Sequence, residues 1–264
     1  MIDTHSHLLP WIDHGCPDLM TSTLIAREAV ESGVHTVVCT PHLAEMDVRL
    51  IERAREVIEE VKSALADEGI ALRLLLGFEV DLSIAATNDM EALRPLVIEG
   101  SSGAILFETP YWGWPVFIDE TIFRLCAAGF VPVLAHPERN DRIQDSPEVL
   151  SRCLAAGAVA QATAGSLGGE FGRRSNRAFY TLLFRGYISL LASDAHGYRR
   201  DGWTMAPMLA TLERRVSPDD VNMLTEVNPG ILLSGGKPAV VFPVRRDAGL
   251  GLSWRGRARL QKPR

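Results

Sequence analysis

Short apolar runs alternate with longer amphipathic stretches along the chain, which is typical of repeated units of one β-strand and one α-helix. Short apolar runs in such an alternation predict β-strands. We predict seven such strands, at residues 1–5, 35–40, 72–78, 103–108, 131–136, 158–163 and 188–194.

Helices are predicted where apolar residues recur at three- and four-residue spacing. The clearest covers residues 47–67, and its recurring apolar residues are Val48, Ile51, Ala54, Val57, Ile58 and Val61. Further helices are predicted at residues 18–31, 119–128, 147–156 and 174–185. Gly33, Gly129 and Gly157 follow three of these segments, where a left-handed helix end favours glycine.

The order of these elements predicts an α/β fold in which strands alternate with helices. A closed parallel barrel is favoured, and the spacing alone leaves an open, doubly wound sheet as the alternative. No internal repeat and no low-complexity linker divides the chain. We therefore predict one domain at residues 1–236 and a basic, loosely ordered tail at residues 237–264.

The composition fits a globular protein, since 47% of the 264 residues are hydrophobic and 23% are charged. No apolar run reaches the ~18 residues that a transmembrane helix needs, and the first residues lack the pattern of a secretory signal. The four cysteines show no C-x-x-C spacing, so neither a disulfide framework nor a thiolate zinc site is predicted. These features together predict a cytoplasmic protein.

The net charge of −6 is unevenly distributed. The predicted tail carries eight basic residues and one acidic residue, so the rest of the chain is strongly acidic. Nucleic-acid binding is disfavoured, because an extended contact with phosphates needs clustered Lys and Arg. A loosely ordered terminus is the favoured interpretation of the tail, and contact with a membrane surface or an acidic partner is the alternative.

Six of the seven histidines lie at or just beyond the C-terminal end of a predicted strand. These six are His5, His7, His14, His42, His136 and His196. Only His35 lies at a strand start. Carboxylates mark the same strand ends, namely Asp13, Glu79, Glu108 and Asp194. In a barrel of parallel strands the C-terminal ends converge and carry the active site, so we expect these side chains to lie together.

This mixture of side chains predicts a centre that holds several metal ions. Imidazole and carboxylate together suit Mn²⁺, Fe²⁺ or Zn²⁺, and a carboxylate can bridge two ions. Without a counter-cation, so many ionisable groups in one crevice would repel one another and be poorly solvated. A single histidine is as readily explained by a hydrogen bond in the core or at the surface, but six at strand ends favour the metal centre.

The motifs that carry these residues are more specific as an ordered set than singly. His5-Ser6-His7 puts two imidazoles on one face of a strand. The order H-x-H, D-H-G, T-P-H, a lone glutamate, H-P-E-R and S-D-A-H resembles the PHP (polymerase and histidinol phosphatase) superfamily. More narrowly, the chain up to about residue 235 resembles the metal-dependent protein-tyrosine phosphatases associated with bacterial capsule and exopolysaccharide synthesis. The segments that carry this resemblance are 1–10, 77–79, 108–111, 136–139, 161–169, 193–196 and 228–229.

The resemblance implies a distorted, TIM-like (β/α)₇ barrel with three divalent ions, Mn²⁺ being favoured over Fe or Zn. The first ion would be held by His5, His7, Glu79 and Asp194. The second would share Glu79 and add Glu108 and His136. The third would be held by His14, His42 and His196. Two positions depart from the pattern of the capsule phosphatases, which often have aspartate at His14 and usually have glycine at Trp11.

For activity, the resemblance implies hydrolysis of a phosphate monoester, in which a hydroxide that bridges two ions attacks phosphorus in line. Arg139 and either Arg199 or Arg200 would hold phosphoryl oxygens, because a planar guanidinium can bind two oxygens at once. Tyr111 and Trp112 either line the cleft for a phenyl ring or pack in the core. The implied substrate is the phosphotyrosine tail of a membrane-bound bacterial tyrosine kinase, which would bring the protein to the inner face of the membrane.

Three alternatives remain at this stage. The first is a small-molecule phosphatase of the same superfamily, resembling histidinol phosphatase, and the second is a nuclease, which the acidic body disfavours. The third is a metal-binding module without catalysis. A cysteine nucleophile is not predicted, since none of the four cysteines has an arginine six residues later. No nucleotide-binding glycine motif is present either.

Overall fold

The computed structural model describes residues 1–197 and 205–243. Within these residues ten strands form one four-stranded and one six-stranded sheet, and every pairing between neighbouring strands is parallel. The strands are β1 (Ile2–His7), β2 (Thr36–Cys39), β3 (His42–Leu43), β4 (Arg73–Leu76), β5 (Glu79–Asp81), β6 (Ala104–Glu108), β7 (Val131–Ala135), β8 (Val159–Thr163), β9 (Leu190–Ala192) and β10 (Ala195–His196). The predicted α/β fold with parallel strands is confirmed.

The four-stranded sheet has the order β10-β1-β2-β4, and the six-stranded sheet has the order β3-β5-β6-β7-β8-β9. Residues 40–41 separate β2 from β3, residues 77–78 separate β4 from β5, and residues 193–194 separate β9 from β10. At three places, therefore, a strand of one sheet is followed, after two residues, by a strand of the other sheet. We call these places the breaks in the strand lines. Each break contains or directly precedes a predicted metal ligand: His42 follows the first, Glu79 follows the second, and Asp194 lies in the third.

All seven predicted strands are present, and their ends shift by at most two residues. The sequence does not predict β3, β5 and β10, because runs of two or three residues are too short to give a periodic pattern. These short strands are defined by their pairing with strands that lie far away in the sequence. His42 lies opposite Glu79 in the pairing of β3 with β5, for example.

Eleven α-helices lie among the described residues. They are α1 (Leu19–Glu31), α2 (Val48–Asp67), α3 (Leu82–Thr87), α4 (Phe117–Ala127), α5 (Asp141–Asp145), α6 (Glu148–Ala156), α7 (Ala164–Gly168), α8 (Gly172–Phe184), α9 (Met205–Leu212), α10 (Pro218–Asn222) and α11 (Asn228–Leu233). Segments Met90–Leu96 and Pro137–Arg139 are 3₁₀-helical, and Met223–Val227 forms a π-helix between α10 and α11.

The five predicted helices correspond to α1, α2, α4, α6 and α8, with ends that shift by at most two residues. Asp18 and Asp47 cap the first two, because their carboxylates accept hydrogen bonds from backbone N–H groups of the first helical turn. The apolar pattern does not predict α9 to α11, since Pro207 lies inside α9 and since α10 and α11 are only five and six residues long.

Both faces of the strands are buried. Alternate residues of the strands, among them Val38, Leu75 and Val133, form one apolar cluster that includes Leu232 of α11. Their neighbours in sequence, such as Val37 and Leu74, belong to a second, larger cluster with the inward side chains of the helices. Strands covered in this way need aliphatic residues at consecutive positions, which explains the continuous apolar runs in the sequence.

The first residues of the predicted tail pack against the domain. The side chain of Asn228 donates a hydrogen bond to the carbonyl oxygen of Ala239 at 2.8 Å and accepts one from its backbone N–H at 2.9 Å. Val241 is buried. The boundary at residue 236 stays a prediction, since residues 244–264 lie outside the described part. Among the described residues, no helix has the length and apolar composition that crossing a lipid bilayer requires.

Candidate metal centre

The nine predicted metal ligands all lie in the described part of the chain, at the C-terminal ends of the strands. His5 and His7 belong to β1, and Glu108 ends β6. The others begin or follow a short strand or lie in a loop, and they are His14, His42, Glu79, His136, Asp194 and His196. Parallel strands deliver their C-terminal ends to one edge, so residues far apart in sequence meet there.

Four buried residues form the first group, namely His5, His7, Glu79 and Asp194. One possible ligand atom from each lies within 4.8 Å of the others. Nε2 of His5 is 3.2 Å from Nε2 of His7, 3.1 Å from Oε2 of Glu79 and 3.3 Å from Oδ1 of Asp194. Two imidazole nitrogens and two carboxylate oxygens thus point at one place. The resemblance implied the same four residues for the first ion.

Glu79, Glu108 and His136 form the second group. Nε2 of His136 lies 2.8 Å from Oε1 of Glu79, whereas Oε2 of the same carboxylate faces His5. The two oxygens of Glu79 therefore face two different groups, as a carboxylate that bridges two ions would. This set also coincides with the one that the resemblance implied.

The third group consists of His7, His42 and His196. It shares His42 and His196 with the predicted third set, and His7 takes the remaining place. His14 is adjacent, because its ring centroid lies 4.7 Å from that of His42 and 4.6 Å from that of His196. The four imidazoles therefore form one cluster at the C-terminal ends of the strands, with His14 on its exposed side.

The donors fit divalent ions. Several buried polar atoms of the described residues make no hydrogen bond, and His136 Nδ1, Asp194 Oδ1 and His196 Nε2 are among them. Buried polar atoms are almost always paired, so such a concentration at one place needs an explanation. A set of imidazole nitrogens and carboxylate oxygens suits Mn²⁺, Fe²⁺ or Zn²⁺.

The acids and bases of the cluster strongly perturb one another. Burial raises the pKa of Glu79, but the charge of His5 and hydrogen bonds with His136 and His42 outweigh it, and the pKa lies well below the usual value. Burial, followed by the charge of His7, lowers the pKa of His196 to about 4. The carboxyl group of Glu79 is thus held as an anion and the imidazole of His196 is held neutral, and these are the forms that bind a metal.

Asp13 supports the predicted ligands. The sequence predicts its place at a strand end but assigns it no role. Its Oδ2 lies 2.6 Å from Nδ1 of His7 and also accepts a hydrogen bond from the backbone N–H of His42 at 3.0 Å. Its Oδ1 accepts one from Gly15 at 2.8 Å. Gly15 must be glycine, because a Cβ atom there would collide with the carbonyl oxygen of His7. The D-H-G motif therefore positions two of the predicted ligands, His7 and His42.

A second supporting residue, Gln161 of β8, lies beneath the first group. Its Oε1 is 3.0 Å from Nδ1 of His5, and its Nε2 donates to Oγ1 of Thr4 at 2.8 Å. The amide oxygen can therefore accept the proton of Nδ1, which directs the lone pair of Nε2 into the cluster. Gln161 belongs to the motifs that carry the family resemblance, but its partner could not be inferred from the sequence.

Two of the predicted ligands have unusual backbone conformations. His136 has a φ angle of 36° and Asp194 one of 53°, both in the left-handed region that favours glycine. Trp11 is the third such residue, with a φ angle of 62°. That conformation explains why the related pattern usually has glycine at the position of Trp11.

Arg139 also reaches the centre. Its Nη1 donates to Oδ2 of Asp194 at 2.9 Å. Its guanidinium carbon lies 4.0 Å from the ring centroid of Phe171 and 4.8 Å from that of Tyr111, so the group is held between two aromatic rings. Arg199 and Arg200 lie outside the described residues.

Tyr111 and Trp112 lie on the surface, and Tyr111 borders the group of predicted ligands. The ring of Tyr111 is nearly parallel to that of His136, at a centroid distance of 5.7 Å. The exposed fractions are 37% for Tyr111 and 80% for Trp112. Of the two interpretations left open for this pair, packing in the core is therefore wrong. His35, the histidine predicted to lie apart, contacts Glu226 instead.

Comparisons with known proteins identify a family and several relatives. A family model described as "Capsular polysaccharide synthesis, CpsB/CapC" matches residues 1–234. The tyrosine-protein phosphatase YwqE of Bacillus subtilis is 34% identical over 234 residues, which cover 88% of this chain and 91% of the relative. The tyrosine-protein phosphatase CpsB of Streptococcus pneumoniae is 24% identical over 206 residues, which cover 74% of this chain and 83% of the relative.

Two solved structures resemble this chain to different degrees. A structure from work on YwqE of B. subtilis and CpsB of S. pneumoniae, described as unique metal-dependent tyrosine phosphatases, superposes with a TM-score of 0.79 and 31% identity. It covers 93% of this chain, and this chain covers all of it. A phosphotriesterase homology protein of Escherichia coli gives a TM-score of 0.54 at 13% identity, with 88% of this chain and 98% of that chain covered. The second likeness concerns the fold alone.

Proposed function

The chain belongs to the CpsB/CapC family of capsular polysaccharide synthesis proteins, and on that premise we propose that it is a metal-dependent tyrosine phosphatase. The observation that carries the proposal is the position of Glu79, a buried carboxylate whose two oxygens face two separate groups of possible ligands. YwqE, 34% identical, is named a tyrosine-protein phosphatase.

The proposed centre holds three divalent ions, with Mn²⁺ favoured and Fe or Zn as alternatives. His5, His7, Glu79 and Asp194 would hold the first ion. Glu79, Glu108 and His136 would hold the second. His42 and His196, together with His14, would hold the third. When bound, such ions lower the pKa of a water molecule and neutralise charge on a phosphoryl group.

The protein's own side chains prepare this chemistry. Glu79 stays ionised because imidazoles surround it, so it can serve two groups at once. Arg139 is held in one orientation by Tyr111 and Phe171, and its planar fork is suited to two phosphoryl oxygens. An arginine fixed in advance loses little conformational freedom when the phosphate binds. Arg199 or Arg200 would supply a second guanidinium.

We further propose that the two sheets are arcs of one distorted (β/α)₇ barrel. The supporting observations are the pairing of β8 with β9 and of β10 with β1, with only two residues between β9 and β10. A third link is the hydrogen bond from the backbone N–H of Asp194 to the carbonyl oxygen of His5 at 3.0 Å. Breaks in the strand lines would widen the mouth where the ligands lie.

The proposed substrate is phosphotyrosine in a bacterial tyrosine kinase that controls capsule or exopolysaccharide synthesis. Membership in a family described as capsular polysaccharide synthesis supports it. The proposed site of action is the cytoplasm, at the inner face of the membrane where such a kinase would be anchored. Phosphotyrosine also suits a centre that has the aromatic side chain of Tyr111 at its edge.

The test combines metal analysis of the purified protein with turnover of three substrates: p-nitrophenyl phosphate, a phosphotyrosine peptide and histidinol phosphate. We expect bound divalent metal, preference for the peptide over histidinol phosphate, and loss of activity with a chelator that Mn²⁺ restores. Preference for histidinol phosphate would point to a small-molecule phosphatase. Activity that resists complete metal removal would overturn the proposed chemistry.

A further inference from the structure

Four apolar side chains lie exposed on the segment that directly follows Glu108. Their exposed fractions are 37% for Tyr111, 80% for Trp112, 97% for Val116 and 37% for Phe117. We call these four residues the apolar ridge. Several large apolar side chains that stay exposed to water within one short segment are typical of a place where another molecule binds.

The apolar ridge is exposed although its backbone is firmly held. The side-chain amide of Asn140 donates to the carbonyl oxygen of Gly113 at 2.8 Å, and the N–H of Gly113 donates to Oδ1 of Asp141 at 2.7 Å. Nε1 of the next residue, Trp114, donates to Oδ1 of Asp119 at 3.2 Å. A segment held by hydrogen bonds at its middle presents its apolar side chains in a restricted arrangement, which lowers the entropy lost when a partner binds.

A cavity of about 260 Å³ lies between the apolar ridge and the start of α3. Its lining residues are Asp81, Leu82, Ser83, Glu108, Pro110, Pro115, Phe117 and Ile118. Pockets for small molecules usually measure about 300–1,000 Å³, so this cavity suits one or two side chains of a polypeptide. It shares Glu108 with the second group of possible metal ligands.

The charges around the cavity restrict what can occupy it. Asp81 and Glu108 are the charged residues of its lining, and both are acidic. An acidic side chain would meet like charge there. A basic one would find both carboxylates engaged, since Asp81 accepts a hydrogen bond from the backbone N–H of Ser83 and Glu108 belongs to the second group of possible metal ligands. An apolar side chain would meet Leu82, Phe117 and Ile118. The favoured occupant is therefore apolar.

Tyr111 connects the apolar ridge with the metal centre. Its ring is stacked on that of His136 and lies 4.8 Å from the guanidinium carbon of Arg139. A phosphoryl group bound near Arg139 therefore leaves the neighbouring residues of its polypeptide close to the ridge. Aromatic residues in such positions commonly carry much of the binding energy of an interface.

We propose that the apolar ridge and the cavity beside Glu108 bind apolar side chains that flank the phosphotyrosine of the substrate polypeptide. This inference rests on the proposed phosphatase function and adds a determinant of substrate choice to it. The surface selects by the residues around the phosphotyrosine, while the centre recognises the phosphate ester itself.

The test compares two phosphotyrosine peptides of equal length, one with leucines and one with glutamates around the phosphotyrosine, and uses p-nitrophenyl phosphate as a substrate without flanking residues. The variant is Trp112→Ala with Val116→Ala, two exposed positions whose truncation leaves the core intact. The matched control is Val240→Ala, an apolar residue that is 57% exposed and lines a different cavity, with Arg185 and Lys237.

We expect the unmodified protein to prefer the leucine peptide. In the variant, the ratio of kcat/KM for that peptide to kcat/KM for p-nitrophenyl phosphate should fall about tenfold, mainly through KM. The control should keep the original ratio. An unchanged ratio in the variant, or no preference in the unmodified protein, would overturn the docking surface alone. Absence of metal-dependent turnover of p-nitrophenyl phosphate would overturn the phosphatase function and this inference with it.

Discussion

Oδ2 of Asp13 lies 2.6 Å from Nδ1 of His7 and contacts the backbone of His42 at 3.0 Å. A carboxylate at Nδ1 keeps the proton of the imidazole on that nitrogen and leaves the lone pair of Nε2 free. Nε2 of His7 faces Glu79 at 3.3 Å. Asp13 therefore selects the tautomer that can bind a cation and also fixes the start of β3.

Asp13→Asn should weaken metal affinity about 10- to 100-fold, because an amide cannot hold the His7 proton as strongly as a carboxylate. Titration of the metal-free protein with Mn²⁺ would measure this. Asp18→Asn is the matched control, since Asp18 caps α1 by accepting from Thr21, and asparagine caps helices equally well. Equal affinities of the two variants would contradict the role of Asp13.

Glu79→Ala should abolish turnover and lower the metal content, because one carboxylate serves two groups of ligands. His35→Ala should leave turnover nearly unchanged, since His35 pairs with Glu226 away from the cluster. Steady-state kinetics and metal analysis on both variants would check this. Similar losses in the two variants would contradict the proposed ligand set.

Arg139→Lys should reduce kcat about 100-fold, because an ammonium group supplies neither the planar fork nor the stacking between Tyr111 and Phe171. The same conservative change at Arg174, an exposed residue paired with Asp145 at 2.6 Å, is the control and should leave kcat intact. Lysine at position 139 with full activity would show that the guanidinium is not needed.

Glu226→Gln should lower the free energy of unfolding at neutral pH by at most about 1 kcal/mol, since the pair with His35 is exposed to solvent. Burial raises the pKa of Glu226, but hydrogen bonds with His35 and the terminal amine outweigh it, so the folded pKa lies below the ordinary 4.5. The stabilisation is therefore present above pH ~4.5 and disappears as the pH falls through the folded pKa.

Chemical denaturation of the wild type and Glu226→Gln between pH 3 and 7 would reveal this trend. The difference between the two proteins should shrink as the pH falls. Glu120→Gln, a change of the same kind on the exposed face of α4, should show no such trend. A difference that grows toward low pH would reverse the sign of the proposed linkage.

The strands, and the grouping of the candidate metal ligands at the strand ends, could be predicted because their signals are local. Aliphatic runs such as residues 131–135 show the strands directly, and each ligand lies in a short motif at a strand end. The prediction that two ions would share Glu79 came from the resemblance to the phosphatase family. No local pattern marks the breaks in the strand lines, because His42 of β3 is paired only through the tertiary fold.

The contacts that support the predicted ligands, and the exposure of apolar side chains, could not be predicted from the sequence. The partner of Asp13 depends on a turn that brings it back over His7, and apolar residues at 111–117 look the same in a sequence whether they are buried or exposed. The third group also differs from the predicted set, because His7 rather than His14 is grouped with His42 and His196. These relations depend on packing between distant segments.

The left-handed backbone at His136 and Asp194 has a consequence for how the protein can be improved. Each such residue costs the folded chain about 1–3 kcal/mol relative to an unstrained one. Screening for heat resistance alone would therefore favour glycine at both positions and erase the ligands. Thermostable versions of this protein should be sought by changes elsewhere, with catalysis monitored in every round.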